Sequence, residues 1–207
     1  MPIMSTVFRL ATLNDAEQIQ GIYAPYCSTP ISFELEPPSV EEMQQRLNVV
    51  LKQYPWLVCE EAGRILGYAY ANFHRERAAY RWSVDVSVYI DQDHHRRGIG
   101  RALYTSLFEL LRLQGYINSY AGVTLPNPGS VGLHLAMGFE PVGTYSQVGF
   151  KYGAWHDVAW YQLLLQPRLE RPAQPRGWRE LCETREWKEA IRAGVEMVRG
   201  AAPRATA

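Results

Sequence analysis

The chain has 207 residues, 47% hydrophobic and 20% charged, enough for one well-formed core. Its 21 basic residues balance 21 acidic ones, which removes any bulk electrostatic argument for nucleic acid or an anionic membrane. No apolar run approaches the roughly 18 residues of a membrane span, and Cys27, Cys59 and Cys182 are odd in number and scattered, so a reduced, cytoplasmic setting is expected.

The stretch Met1-Pro2-Ile3-Met4-Ser5-Thr6 lacks a basic segment followed by an apolar one, so no signal peptide is expected. Val7 to Ala11 reads as a first strand. Asn14 with Glu17 resembles a capping box for a helix carrying Ile19, Ile22 and Tyr23. A loop bounded by Pro37 and Pro38 follows, and Ser39 with Glu42 caps a second helix bearing Met43, Leu47, Val50 and Leu51. Trp56 to Glu60, a turn at Ala62-Gly63, and Ile65 to Phe73 predict a hairpin.

Ser83 to Ile90 alternates by type. The valines and Ile90 face one way; Ser83, Asp85, Ser87 and Tyr89 face the other. The alternation runs into Asp91-Gln92-Asp93-His94-His95-Arg96-Arg97-Gly98-Ile99-Gly100-Arg101, a polar turn whose Gly-x-Gly opens a helix reaching Gln114. Closely approachable N–H groups, a positive helix end and guanidinium groups suit one anion, which makes the turn a candidate diphosphate seat. A P-loop is excluded because no Gly-Lys-Ser/Thr is present. A dinucleotide fingerprint fits poorly, since Leu103 replaces its third small residue.

Ser119 to Leu125 returns as a strand. Asn127-Pro128 starts a helix ending at Gly138, and strands follow around Glu140–Gln147 and His156–Leu165. The fold class expected is α/β (α+β), with one mixed, mostly antiparallel sheet and helices on both faces. Residues 1–166 form the domain, 167–177 a proline-rich linker, and 178–200 an amphipathic helical extension carrying Trp178, Leu181, Trp187, Ile191 and Val195.

Aspartate is unfavourable inside strands, so Asp85 is a candidate general base on the cofactor strand; the alternative is a solvated polar face. Arg75, Arg81 and His74 border that strand and are candidates for holding a ligand's carboxylate, with Ser87 beside them. Adjacent His94-His95 have no metal-ligand spacing, so no metal is expected.

Three stretches carry a family resemblance: Tyr80 through Ile90; Leu125-Pro126-Asn127 with Ser130-Val131-Gly132-Leu133-His134 and Gly138-Phe139; and Val148 through Val158. Together with Arg-x-Gly-x-Gly at the crossover, they resemble the GNAT superfamily of N-acetyltransferases, and within it the phosphinothricin (methionine sulfoximine) acetyltransferases. The resemblance spans about residues 7 to 166. It implies the GNAT fold, acetyl-CoA as acetyl donor, and a small primary amine, often an amino acid analogue, attacking directly in a ternary complex.

The resemblance also implies site residues. The cofactor falls to the backbone of Val88, Tyr89 and Ile90, to Arg96, Arg97, Gly98, Ile99, Gly100 and Arg101, and to Asn127. Phe33 and Glu34 match a substrate loop, and His134 matches a proton-transfer position, as acid or assisting base. Asp85 stands where the family usually has Glu, which favours a bridging water. His95 stands where the superfamily usually has Gln or Arg, and Arg96 and Arg97 compensate. A homodimer is implied, with Phe150, Tyr152 and Trp155 presented by the last hairpin. The competing readings are acetylation of another small amine, such as a polyamine or antibiotic, and a silent acyl-CoA-binding module.

Overall fold

The computed structural model describes residues 6–200, so Met1 to Ser5 of the segment examined for a signal peptide lie outside the described residues. Strands β1 (Val7–Leu10), β2 (Trp56–Glu61), β3 (Arg64–Phe73), β4 (Ser83–Ile90), β5 (Asn118–Thr124), β6 (Glu140–Lys151) and β7 (Ala154–Leu164) make one sheet, ordered β1-β2-β3-β4-β5-β7-β6. All neighbours are antiparallel except β4 and β5. The helices are α1 (Ala16–Cys27), α2 (Val40–Val50), α3 (Ile99–Gln114), α4 (Pro128–Ala136) and α5 (Arg185–Gly200).

Both faces of the sheet are covered, which strand alternation makes possible. Leu57, Cys59, Leu66 and Ala69 pack with Leu103, Leu107 and Trp187 from α3 and α5. Trp56, Val58, Ile65 and Tyr68 pack with Ile19, Ile22, Met43 and Leu47 from α1 and α2.

The feature that makes a site is the junction of β4 and β5. They pair only at Ser83, Val84 and Asp85 against Asn118, Ser119 and Tyr120. Beyond Asp85, β4 stays with β3 out to Ile90 and β5 stays with β7 out to Thr124. The sheet therefore opens into a V whose apex is Asp85.

Two sequence expectations need correction. The first helical entry is not capped by Asn14 and Glu17. Thr12 and Asp15 form the box around a single 3-10 turn (Leu13–Asp15) before α1. Asp15 is buried, accepts from the Thr12 backbone N–H at 2.6 Å, and receives both terminal nitrogens of Arg9. That triple engagement decides the cap.

The second correction concerns the tail, which is not one helix from Trp178. Trp178–Glu180 is a separate 3-10 turn, and the Thr184 hydroxyl accepts from Trp187 N at 3.2 Å where α5 begins. The proline-rich stretch is tied to the body by Trp82 Nε1 on Ala173 O and by Arg176 N on Gln114 O. α5 lies against α3, with Trp187 1% exposed. Gly194 N donates to Ser106 Oγ at 3.1 Å, which in turn donates to Ile191 O at 2.9 Å. A side chain at Gly194 would overlap Ala102 O in the first turn of α3.

Candidate active site

The turn after β4 is built by short-range hydrogen bonds. Asp91 Oδ1 accepts from Asp93 N at 3.0 Å, and Arg64 pairs with Asp91 Oδ2 at 2.8 Å. Arg96 adopts φ +61° and Gly98 φ +79° immediately before α3. Left-handed backbone at Gly98 suits glycine alone without strain, and it turns the first N–H groups of α3 outward. Arg96, Arg97 and Arg101 stand exposed around this positive helix end. Tyr26 Oη donates to Ile90 O at 2.6 Å and meets His95 Nε2 at 2.8 Å, clamping the strand end to α1.

Beside the turn lies a cleft of about 470 Å³, lined by Val88, Tyr89, Ile90, Arg96, Gly98–Arg101 and Asn127. Asn127 Oδ1 caps α4 by accepting from Ser130 N at 3.1 Å, which leaves its amide N–H groups as donors. A narrow neck of about 70 Å³ continues from this cleft between the diverging strands, past Ser87, Thr124, Tyr104 and His134. On the far side it joins a cavity of about 650 Å³ that includes Phe33, Glu34, Asp85, Ser87, Tyr145 and Trp160. Ile31, Ser87 and Tyr89 line both the neck and this outer cavity.

Asp85 Oδ1 accepts from His74 Nδ1 at 2.6 Å, and Arg75 lies 4.0 Å from Oδ2. Burial raises the Asp85 pKa above the ordinary carboxylate value, against the lowering effects of His74 and Arg75. The His74 ring stacks on Tyr120 with centroids 4.3 Å apart, and the Arg75 guanidinium lies 5.6 Å over the Trp160 ring. His134 is 4% exposed. Its Nδ1 lies 2.8 Å from Ser130 O, which can only accept, so Nδ1 carries the proton. Nε2 therefore accepts from Tyr104 Oη, 3.2 Å away. Burial lowers the His134 pKa despite the Ser130 carbonyl, which keeps the ring neutral.

Most sequence-derived candidates thus line one continuous passage, and five need comment. Arg75 lines neither cavity and lies over Trp160 beside Asp85, and Arg97 lies outside the donor cleft, 3.9 Å from Glu61. Arg81 lines neither cavity; its Nε donates to Ala78 O and its guanidinium lies over Trp82. His74 serves Asp85. Glu34 faces the outer cavity with its carboxylate committed to Arg46, at 2.7 and 2.9 Å, and to Tyr23 Oη at 2.9 Å. Burial would raise the Glu34 pKa, yet Arg46 and Tyr23 hold it below the ordinary value.

Tyr104, Tyr26 and Trp160 belong to the passage and were not singled out in the sequence. The one signal for Tyr104 is an aromatic hydroxyl beside Leu103 on a leucine stripe. Among the described residues no group of three or more His, Cys, Asp or Glu could hold a metal, and no helix is long and apolar enough to cross a membrane.

A parted sheet with an arginine-flanked helix N-terminus on one side and a half-buried carboxylate on the other suits a group-transfer enzyme with a diphosphate-bearing donor. The family model for the acetyltransferase (GNAT) domain matches residues 8–160, and the chain belongs to that family: it is an acetyl-CoA-dependent N-acetyltransferase. It is 38% identical over 169 residues to phosphinothricin N-acetyltransferase of Streptomyces viridochromogenes, spanning 81% of this chain and 92% of that relative. It is 34% identical over 172 residues to the L-methionine sulfoximine/L-methionine sulfone acetyltransferase of Pseudomonas aeruginosa, spanning 82% of this chain and 100% of that protein. The crystal structure of a GNAT phosphinothricin acetyltransferase from Sinorhizobium meliloti in complex with acetyl-CoA superposes with TM-score 0.77 at 33% identity, covering 85% of this chain and 100% of that one.

The residues present fit acetyl-CoA. The turn offers helix N–H groups and the guanidinium groups of Arg96 and Arg101 to phosphate, Gly100 keeps the cleft floor low against Val88 and Ile90, and β4 leaves one edge unpaired beyond Asp85.

Proposed function

We propose that the chain acetylates the primary amine of a small amino acid analogue, of the phosphinothricin or methionine sulfoximine kind, by direct attack in a ternary complex. Acetyl-CoA supplies the activated acetyl thioester. The diphosphate seats on Arg96 through Arg101, and the β4 edge at Val88, Tyr89 and Ile90, with Asn127, orients the donor arm. The acceptor enters from the Phe33, Ser87 and Trp160 side. The observation that carries this reading is Asp85 at the apex of the V, on the wall of the outer cavity where the neck opens.

An ammonium acceptor must lose a proton before it can attack. Asp85 takes that proton, directly or through one water, because burial makes its carboxylate a better base than an exposed aspartate. His74 fixes the carboxylate rotamer by donating to Oδ1, leaving Oδ2 toward the acceptor. Arg75 attracts the acceptor's carboxylate. Tyr104 and His134 line the neck between the two compartments, and the departing thiolate takes up the second proton that the amine releases as the amide forms, with the Tyr104 hydroxyl and His134 Nε2 on that proton's path.

The working form is a cytoplasmic homodimer. Phe150, Tyr152 and Trp155 are 57, 64 and 61% exposed at the hairpin beside the edge strand β6, a large apolar surface for a monomer. Light scattering giving the monomer mass at working concentration would remove the dimer from this reading. A thiol-release assay over amino acid analogues, polyamines and aminoglycosides tests the acceptor class. Turnover is expected with phosphinothricin or methionine sulfoximine, and turnover confined to polyamines or aminoglycosides would overturn it.

A further inference from the structure

The segment joining α1 to α2 supplies Ile31, Phe33 and Glu34 to the outer cavity, yet from Ser28 to Ser39 it contains neither helix nor strand. Its carbonyls must find donors elsewhere. Three of them find one in a single side chain. Lys151 ends β6 and is 2% exposed. Its Nζ donates to the carbonyls of Cys27 at 2.7 Å, Thr29 at 3.0 Å, Ser32 at 2.7 Å and Glu34 at 2.6 Å.

An ammonium has three N–H donors, so four short contacts mean that charge as well as hydrogen bonding gathers the oxygens. A buried cation survives only when so compensated. Two further contacts make the same seam. Tyr152 Oη donates to Cys27 O at 3.0 Å, and Phe33 lies where a side chain on Gly149 would otherwise stand. The end of β6 therefore determines where the loop, and with it Phe33 and Ile31, can lie.

We propose that Lys151 is a positioning residue for the acceptor: its ammonium gathers three loop carbonyls onto the last carbonyl of α1 and so sets the wall of the acceptor cavity. The inference rests on the reading of that cavity given above. Lys151 touches no reacting atom and acts only through the loop. Removing it leaves four carbonyls around an empty centre, and the loop must open to let water reach them. Acetyl-CoA binding is less exposed to this change: Ile31 also lines the donor cleft, but the diphosphate turn is held by its own hydrogen bonds and by Tyr26.

The test compares wild type with Lys151→Met, which keeps length and removes charge and donors. Steady-state kinetics use phosphinothricin and methionine sulfoximine as acceptors, acetyl-CoA affinity is read by calorimetry, and hydrogen exchange is followed at residues 28–35. The acceptor KM should rise about tenfold or more, the scale of one lost buried hydrogen-bonding group. The acetyl-CoA Kd should change by clearly less than the acceptor KM, and loop exchange should quicken.

An unchanged acceptor KM in the folded variant overturns the proposal, and so does a raised KM with unchanged loop exchange. If Lys151→Met does not fold, Lys151→Arg replaces it. That variant keeps the charge on a bulkier head, and the same separation of acceptor KM from acetyl-CoA affinity is expected. Failure of both to fold assigns the lysine to the fold alone and also overturns the proposal. A wild type inactive on both acceptors would instead remove the acceptor assignment, while loop exchange would still report what Lys151 holds.

Discussion

Asp85 accepts a 2.6 Å hydrogen bond from His74 at the last position where β4 still pairs with β5. The carboxylate is thus held where two strands part, half-buried, hydrogen-bonded on one oxygen and with Arg75 4.0 Å from the other. Burial wins over both the histidine and Arg75 in setting its pKa, which lies above the ordinary carboxylate value. An ionised group with a raised pKa is a better base and a poorer contributor to stability. Both consequences can be measured.

Asp85→Asn should lower kcat/KM at neutral pH by about 100-fold or more, the scale of a lost positioned base, with little change in acetyl-CoA affinity. A raised folded pKa means that the protonated form favours folding, and that this stability is lost as pH rises through the folded value. The neutral amide should therefore fold at least as well as wild type near neutral pH, read as an unchanged or higher Tm. In wild type the acid limb of kcat/KM should lie above the ordinary Asp range. Normal turnover with an unaltered pH profile in the variant would place the base elsewhere.

Gly100→Glu adds bulk and negative charge to the floor between Val88, Ile90 and Leu133. Binding of acetyl-CoA should weaken by about 100-fold or more, since a carboxylate there competes with phosphate for the same N–H groups. The variant should keep its circular dichroism. Unchanged affinity by calorimetry in the folded variant would remove the diphosphate seat from the cleft.

Much of this site was readable before any coordinates. The alternation from Ser83 to Ile90 and the glycines after Arg97 are local signals, and local chemistry determines what they become: a strand, then a turn that requires left-handed backbone at Gly98. Asp85 stood out because strands disfavour aspartate. Part of what escaped depends on pairs distant in sequence, and part on the path the backbone takes locally. Lys151 reaches carbonyls more than a hundred residues away, and nothing in its own neighbourhood announces that. Arg81 and His74 had equal claims from position, and only the backbone path sends one to Ala78 and the other to Asp85. The first cap was misplaced because Asn14 and Thr12 are both good capping residues, and Arg9, in the strand just before the turn, breaks the tie.

The C-terminal helix lies beyond the GNAT match and is seated in the main core. Gly194→Val should force its side chain onto Ala102 O and Ser106 Oγ, lowering Tm by about 5 °C or more on the usual scale of overpacking. Because Ala102 lies in the first turn of α3, acetyl-CoA affinity should fall more than acceptor affinity. Truncation after Gln166 uncovers Leu107 and Phe8 along with the bed of Trp187 and should cost cooperative unfolding before it costs chemistry. A truncated chain with wild-type Tm would show that the helix contributes nothing to the core.

The last prediction concerns His134, whose Nδ1–H is given to Ser130 O and whose Nε2 faces Tyr104 Oη at 3.2 Å. Burial depresses its pKa below the ordinary 6.5. The unfolded chain therefore takes up a proton here before the folded one does, and stability present above the ordinary pKa is lost as pH falls toward the folded value. His134→Gln should flatten the decline of Tm between about pH 7 and pH 5, the window below the ordinary histidine pKa. The same variant, and Tyr104→Phe, should each lower kcat by less than Asp85→Asn. Paired with Asp85→Asn, either should give less than the product of the single effects, because members of one proton path fail together. Fully multiplicative losses would separate the neck from the base. An unaltered acid slope of Tm in His134→Gln would mean that the imidazole takes up its proton equally in both states, against its position in the core.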